Sequence, residues 1–152
     1  MKMTKTFAGI DPGYKTGGVA LLQGDWAEVH DLPVFTEGGL DAHELRQILS
    51  SVAVDYLVIE KQGARPKQGV SSAFKIGMGF GQILSAVSLL GIPHQIVTPA
   101  SWKKALRVPA DKDGARRLAI QQFPALADDL KRKKDEHRAE ALLMATYGRL
   151  VK

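Results

Sequence analysis

The sequence contains no cysteine and no long apolar run, and each absence excludes a class of protein. Without cysteine, disulfides and thiolate metal sites are excluded, so a metal ion must be held by carboxylates or histidines, which favours hard cations such as Mg²⁺. No stretch approaches the roughly 20 apolar residues of a membrane helix, and residues 1–6 carry two lysines without an apolar signal core. We therefore expect a soluble cytoplasmic protein with no membrane partner.

Repeats, low-complexity tracts and linkers are also absent from the sequence. A chain of 152 residues with 45% hydrophobic content is long enough for one core and too short for two, so we expect a single domain over residues 1–152. The formal charge of +5 suits a polyanionic partner, although many proteins with such a charge bind none.

Three short apolar runs at residues 6–10, 17–22 and 26–32 predict an antiparallel meander, with a turn at Asp11-Pro12-Gly13. The later predicted elements are a helix over 40–49, a strand over 54–59, a long buried helix over 70–90, a strand over 95–97, a short helix capped by Thr98, a helix capped by Asp111 and ending at Phe123, and a final helix over 135–150. This order predicts an α/β domain with a mixed sheet and helices on both faces.

Acidic residues stand where two predicted strands end and where the last helix begins. Asp11 ends the first strand, Glu60 ends a strand suited to burial on both faces, and several acids fall within 135–140. Each has an ordinary structural explanation, because aspartates initiate turns, strand ends are solvated and acids favour helix N-termini. The positions also fit a shared site, since α/β sheets place ligands at the carboxyl ends of strands.

Helical geometry separates the acids of the last helix. At about 100° per residue, Glu136 lies about 40° and His137 about 60° from Glu140, whereas Asp135 lies about 140° away. Glu140 stands at the edge of the apolar stripe, so its carboxylate should point toward the sheet and need a partner such as a metal ion. Either Glu136 or His137 can share that site, and the choice stays open.

A cluster of Asp11, Glu60 and Glu140 suits phosphodiester hydrolysis. That reaction needs an activated water and a stabilised leaving oxygen, and two cations about 3.5–4 Å apart supply both. Basic residues would then bind flanking phosphates without sequence specificity, although a solvated basic loop is the alternative. The candidates for DNA binding are Lys15, Lys61, Arg65, Lys67, Lys75, Lys103, Lys104, Lys133 and Lys134.

An ordered set of motifs resembles the RuvC-type Holliday-junction resolvases, particularly phage-encoded versions. The motifs are Gly-Ile-Asp-Pro-Gly at 9–13, Val-Ile-Glu at 58–60, Thr-Pro-Ala-Ser-Trp-Lys-Lys at 98–104 and His-Arg-Ala-Glu-Ala-Leu at 137–142. The resemblance implies the RNase H-like fold with a mixed five-stranded sheet, dependence on Mg²⁺ or Mn²⁺, a homodimer, and paired nicks across four-way and other branched DNA junctions.

The resemblance also assigns residues to the active site. Asp11, Glu60 and Glu140 match the family's metal carboxylates, and His137 stands where family members carry aspartate or histidine, so it is a catalytic candidate that can bind metal or move a proton. The last carboxylate is glutamate where aspartate is common, which leaves Glu136 as a rival fourth metal ligand.

Three other functions use the same features. Residues 11–17 are similar to the phosphate-binding turn of actin-like ATPases, but those proteins need two domains. A RuvX-like nuclease or a nuclease for RNA/DNA hybrids would use the same carboxylates. A non-catalytic junction-binding protein would need only the basic residues. Acids near phosphates repel DNA unless a metal ion neutralises them, which argues against the last.

The long helix carries residues that could form a dimer contact, and it also carries two of the three apolar residues that could contact DNA bases. Small residues at Gly77, Gly81, Ser85 and Ser88 would let a second copy approach, or pack against the chain's own sheet. Tyr14, Phe74 and Met78 are candidates for stacking at an opened junction, although apolar residues at helical spacing are usually core.

Overall fold

A mixed five-stranded sheet organises residues 4–152, the part of the chain that the computed structural model describes. Residues 1–3 of the predicted domain lie outside it. The strand order is β3-β2-β1-β4-β5. The strands are β1 (Thr6–Asp11), β2 (Gly18–Gln23), β3 (Trp26–Asp31), β4 (Tyr56–Glu60) and β5 (His94–Val97). The predicted meander and the predicted mixed sheet are both confirmed.

The direction of each strand places the two strand-end acids at one edge. β1 pairs with β2 in antiparallel orientation and with β4 in parallel orientation, and β4 pairs with β5 in parallel. Asp11 and Glu60 therefore lie at the carboxyl ends of neighbouring strands. The last four residues of β4 are buried, as the apolar run predicts for a central strand.

Helices cover both faces of the sheet, as predicted. They are α1 (Ala42–Ser50), α2 (Val70–Leu89), α3 (Pro99–Ala105), α4 (Gly114–Gln122) and α5 (Glu136–Val151), with short 3-10 helices at Pro124–Asp129 and Lys133–Asp135. One core cluster joins the sheet to α1 and α2, and a second joins it to α3, α4 and α5. Within residues 4–152, no helix has the length and hydropathy to cross a bilayer.

Two glycines let α5 lie directly on the sheet. A Cβ atom at Gly9 of β1 would come 2.0 Å from the carbonyl oxygen of Ala141, and one at Gly18 of β2 would come 2.2 Å from that of His137. Any side chain at these positions would push the helix away. Residues 137–141 are consequently held against the end of β1, close to Asp11.

The prediction that Asp111 caps a helix is wrong. Helix α4 begins at Gly114 with Asp113 as its N-cap residue. A Cβ at Gly114 would come 2.2 Å from the carbonyl oxygen of Pro109, so the chain folds back tightly before the helix starts. Asp111 instead accepts two hydrogen bonds from the guanidinium of Arg117, at 2.8 and 3.0 Å.

Helix α2 is confirmed, but the prediction that it is buried holds for only part of it. Ile83 and Val87 are fully buried, whereas Val70 is 88% and Phe74 67% exposed. Gly79 lies over the turn that follows β1, so the first turns of α2 extend past the sheet edge. Phe74, which helical spacing alone would place in the core, is therefore a surface residue.

Candidate metal centre

Three carboxylates from distant parts of the chain meet at one edge of the sheet. Asp11 ends β1, Glu60 ends β4 and Glu140 lies in the second turn of α5. One oxygen of each lies within 4.8 Å of the others. Asp11 and Glu60 are buried, and the Glu140 side chain is 12% exposed. The structure thus brings together the three acids that the sequence pattern grouped.

The negative charges of the cluster favour the binding of a cation. Burial, followed by the negative charges of Asp11 and Glu60, raises the pKa of Glu140 to about 7, and Lys103 only partly offsets these effects. Burial also raises the pKa of Glu60, against a hydrogen bond from Trp102. The Nζ atom of Lys103 lies 3.4 Å from Glu140 Oε1. Lys103, even together with a protonated His137 beside Asp11, does not neutralise three carboxylates, so the cluster fits a divalent cation.

His137 reaches the cluster through Asp11. Its Nδ1 atom lies 2.7 Å from Asp11 Oδ2, and this hydrogen bond raises the pKa of the imidazole above its ordinary value. Because a carboxylate only accepts hydrogen bonds, Nδ1 is the donor when Asp11 is ionised. The His137 side chain is 41% exposed and can also contact solvent or substrate.

Glu136, the rival fourth ligand, lies beside the cluster but outside the group of three. It lines a cleft of about 320 Å³ together with Glu140 and Lys103. Its charge contributes to the raised pKa of Glu140. The geometry therefore places His137 in contact with a carboxylate of the cluster and Glu136 at its rim.

Asp135 is fully buried yet belongs to a different environment. It accepts hydrogen bonds from the Arg132 side chain at 2.8 Å and from the Arg132 backbone at 2.9 Å. Although burial opposes ionisation, the hydrogen bonds from Arg132 hold the pKa of Asp135 below its ordinary value. The helical angle of about 140° predicted that Asp135 does not share a site with Glu140, and the structure agrees: Asp135 pairs with Arg132, outside the cluster.

Trp102 belongs to the motif at residues 98–104, but the sequence patterns assigned it no role at the site. Its Nε1 atom donates a 2.7 Å hydrogen bond to Glu60 Oε2, and the tryptophan is completely buried. A buried indole N–H needs an acceptor, so a tryptophan in the core indicates a polar partner nearby. That signal does not say which acceptor is used.

The basic candidates fall into groups at different distances from the carboxylates. Lys103 contacts Glu140, and the charge of Arg65 acts on Glu60. Lys15 and Lys75 line an open hollow beside Tyr14. The remaining candidates are exposed and, within the described residues, make no ion pair with the cluster: Lys61, Lys67, Lys104, Lys133 and Lys134.

Several known proteins are similar to this chain in sequence or in structure. No protein-family model matches the sequence. A crossover junction endodeoxyribonuclease RuvC from Xanthomonas oryzae pv. oryzae is 28% identical over 149 residues, covering 90% of this chain and 83% of that protein. A solved structure titled Thermus thermophilus RuvC in complex with a Holliday junction substrate aligns over 97% of both chains with a TM-score of 0.71 and 21% identity. The fowlpox virus Holliday junction resolvase aligns with a TM-score of 0.59 and 13% identity over 97% of this chain. The predicted resemblance and the predicted fold are confirmed.

Proposed function

We propose that this chain, whose sequence and fold are similar to those of RuvC-type junction resolvases, is a metal-dependent endonuclease that cuts four-way and other branched DNA junctions. The observation that carries the proposal is the cluster of Asp11, Glu60 and Glu140, with oxygens within 4.8 Å of one another. We further propose that residues 1–152 act as one nuclease domain and that the protein works in the cytoplasm.

The cluster fits Mg²⁺, with Mn²⁺ as a substitute. The three ligands are hard carboxylate oxygens, and cysteine, which would favour softer metals, is absent from the sequence. Bound divalent ions supply an activated water and stabilise the charge that develops on the leaving oxygen. Glu140 must give up its proton to act as a ligand, because its pKa lies near 7 before an ion binds.

His137 is proposed to handle a proton in the reaction. With Nδ1 bonded to Asp11, the nitrogen left to take or give a proton is Nε2. The raised pKa keeps a larger fraction of the imidazole protonated near neutral pH than an isolated histidine would have. His137 also stays the leading candidate for a fourth ligand, with Glu136 as the alternative.

Basic residues on two sides of the cluster are proposed to hold the DNA backbone. Arg65 lies on the side of Glu60 and Lys103 on the side of Glu140. Such contacts position phosphates without reading sequence, which suits an enzyme that recognises branched shape. The candidates farther from the cluster would extend this surface along the arms: Lys15, Lys61, Lys67, Lys75, Lys104, Lys133 and Lys134.

A homodimer is proposed because a four-way junction needs two symmetric cuts and each chain carries one cluster. The row of small residues on α2 faces outward, since a Cβ at Gly77 or Gly81 would meet nothing within 4 Å. The neighbouring Met78 is 38% exposed. Sedimentation at micromolar concentration should give a dimer that Gly81→Arg dissociates. A wild-type monomer that nicks both sides of a junction would contradict this arrangement.

The test of the proposed function is a cleavage assay. Purified protein is incubated with a labelled four-way junction or a matched linear duplex, in Mg²⁺ or in chelator, and the products are separated on a denaturing gel. We expect symmetric nicks in the junction alone and only with Mg²⁺. Cutting of an RNA/DNA hybrid or of the duplex would favour another RNase H-like nuclease, and binding without cutting would favour a non-catalytic protein.

A further inference from the structure

The hydrogen bond between Trp102 and Glu60 joins the core to the carboxylate cluster. Trp102 is fully buried, and its Nε1–H donates to Glu60 Oε2 at 2.7 Å. Among residues 4–152, this is the hydrogen bond that the Glu60 carboxylate accepts, and Oε1 accepts none. One oxygen of a cluster carboxylate is thus engaged by the protein, and the other stays open.

The backbone around Glu60 and Trp102 keeps the two side chains next to each other. Glu60 pairs with Val97 across β4 and β5, and the backbone N–H of Lys61 donates to the Val97 carbonyl at 2.7 Å. Helix α3 begins immediately afterwards, with the Thr98 side chain accepting from the Ser101 N–H at 3.2 Å. Glu60 is therefore carried by β4, and Trp102 is carried by the helix that directly follows β5, the strand paired with β4.

The chemistry of the pair suits the orientation of a metal ligand. An indole offers one N–H and no acceptor, so it can engage only one of the two carboxylate oxygens. A glutamate side chain has several rotatable bonds, and a tryptophan packed in the core restrains them. Residues that hydrogen-bond metal ligands fix ligand orientation, and their removal typically costs about 10–100-fold in metal affinity or activity.

We propose that Trp102 is a positioning residue, which holds the Glu60 carboxylate in the orientation that binds a divalent cation. This inference rests on the proposed metal-dependent function. Trp102 acts through Glu60 and does not itself contact the substrate. The competing explanation is that Trp102 only fills the core, in which case its N–H has no effect on metal binding.

Replacement by phenylalanine separates the two explanations. Trp102→Phe keeps an aromatic ring in the core and removes only the N–H donor and part of the ring volume. The matched control is Trp26→Phe, because Trp26 is the other tryptophan and lies 42% exposed at the start of the edge strand β3. Mn²⁺ binding is measured by calorimetry without DNA, with the melting temperature of each protein recorded alongside.

We expect Trp102→Phe to weaken Mn²⁺ binding by about 10-fold or more, with no change in Trp26→Phe. Equal Mn²⁺ affinity in wild type and Trp102→Phe, even with a lower melting temperature, would overturn the positioning role and leave the proposed function intact. Failure of the wild type to bind Mn²⁺ would overturn the metal site and, with it, this inference.

A second measurement keeps the test decisive if Trp102→Phe does not fold. The Trp26→Phe protein contains a single tryptophan, so its one indole N–H resonance belongs to Trp102. We expect this N–H to exchange slowly with solvent and to shift when Mg²⁺ is added. A resonance that exchanges rapidly or ignores saturating Mg²⁺ would contradict the hydrogen bond to a metal ligand.

Discussion

Asp135 and Glu140 are both carboxylates at the start of α5, yet their surroundings are opposite. Asp135 is completely buried between arginines, with Arg132 at 2.8 Å and Arg138 at 3.7 Å. Glu140 is 12% exposed and faces two further acids, with the Lys103 ammonium at 3.4 Å. The pKa of Asp135 is accordingly held below its ordinary value, whereas that of Glu140 rises to about 7.

The difference shows how a structural acid is told from a ligand. A buried charge is tolerated when the chain supplies its own countercharge, as Arg132 does for Asp135. Where the chain instead gathers three acids with one lysine and one histidine, the remaining countercharge must come from outside. Helical angles in the sequence separate the two acids, but they do not show that Arg132 supplies the countercharge for Asp135.

The largest expected contrast is in cleavage. Glu140→Gln should reduce junction cutting by about 10³-fold or more, because several kcal/mol of transition-state stabilisation are lost with the metal ligands, while junction binding persists. Asp11→Asn and Glu60→Gln should do the same, and Asp135→Asn should cut normally at a temperature where it is folded. Full activity in Glu140→Gln or Glu60→Gln would end the shared-site interpretation.

Stabilisation by a bound metal ion should depend on Glu140 and not on Asp135. A divalent ion that binds only the folded protein stabilises it by about 2.7 kcal/mol at 100 times its dissociation constant. Thermal unfolding with and without Mn²⁺ should show this gain in the wild type and in Asp135→Asn, and little of it in Glu140→Gln. A comparable gain in Glu140→Gln would place the bound ion elsewhere.

Removing the charge of Asp135 should destabilise the fold. Asp135→Asn loses charge-assisted hydrogen bonds to Arg132, at an expected cost of about 2 kcal/mol in urea unfolding at pH 7. Since the folded pKa is depressed, this contribution is present above the unfolded pKa and disappears as pH falls through the folded pKa. A variant as stable as the wild type at pH 7 would contradict a structural role.

The smallest effect, and the one of opposite sign, concerns Glu140 without metal. Its folded pKa of about 7 exceeds the usual 4.5, so the folded state holds an extra proton between these values and loses stability as pH rises through the window. The full shift corresponds to about 3 kcal/mol at pH 8. Because the site can relax and Glu140→Gln also loses the contact with Lys103, we expect the variant to be more stable than wild type by about 1 kcal/mol at pH 8 in chelator, with the advantage lost near pH 4.5. A destabilised variant at pH 8 would mean that Glu140 already has sufficient countercharge.

Much of the fold and the three acids could be predicted because their signals are local. Strand-end positions located Asp11 and Glu60, and helical angles grouped Glu140 with Glu136 or His137 while separating Asp135. The Trp102–Glu60 contact spans 42 residues and depends on the register of β4 and β5, which no local pattern encodes.

Two wrong predictions depend on packing contacts that residue type alone does not reveal. The start of α4 is set by the packing of Gly114 against Pro109 rather than by the most obvious capping residue, Asp111. The apolar period of α2 gave its length, but the burial of its first turns depends on where the sheet ends beneath them.

The most direct test of the central claim is an anomalous diffraction map from a crystal soaked in Mn²⁺. We expect density for the ion among the carboxylates of Asp11, Glu60 and Glu140, and none at Asp135, whose charge Arg132 already neutralises. Saturating Mn²⁺ that leaves the three carboxylates without anomalous density would contradict a metal centre at this edge of the sheet.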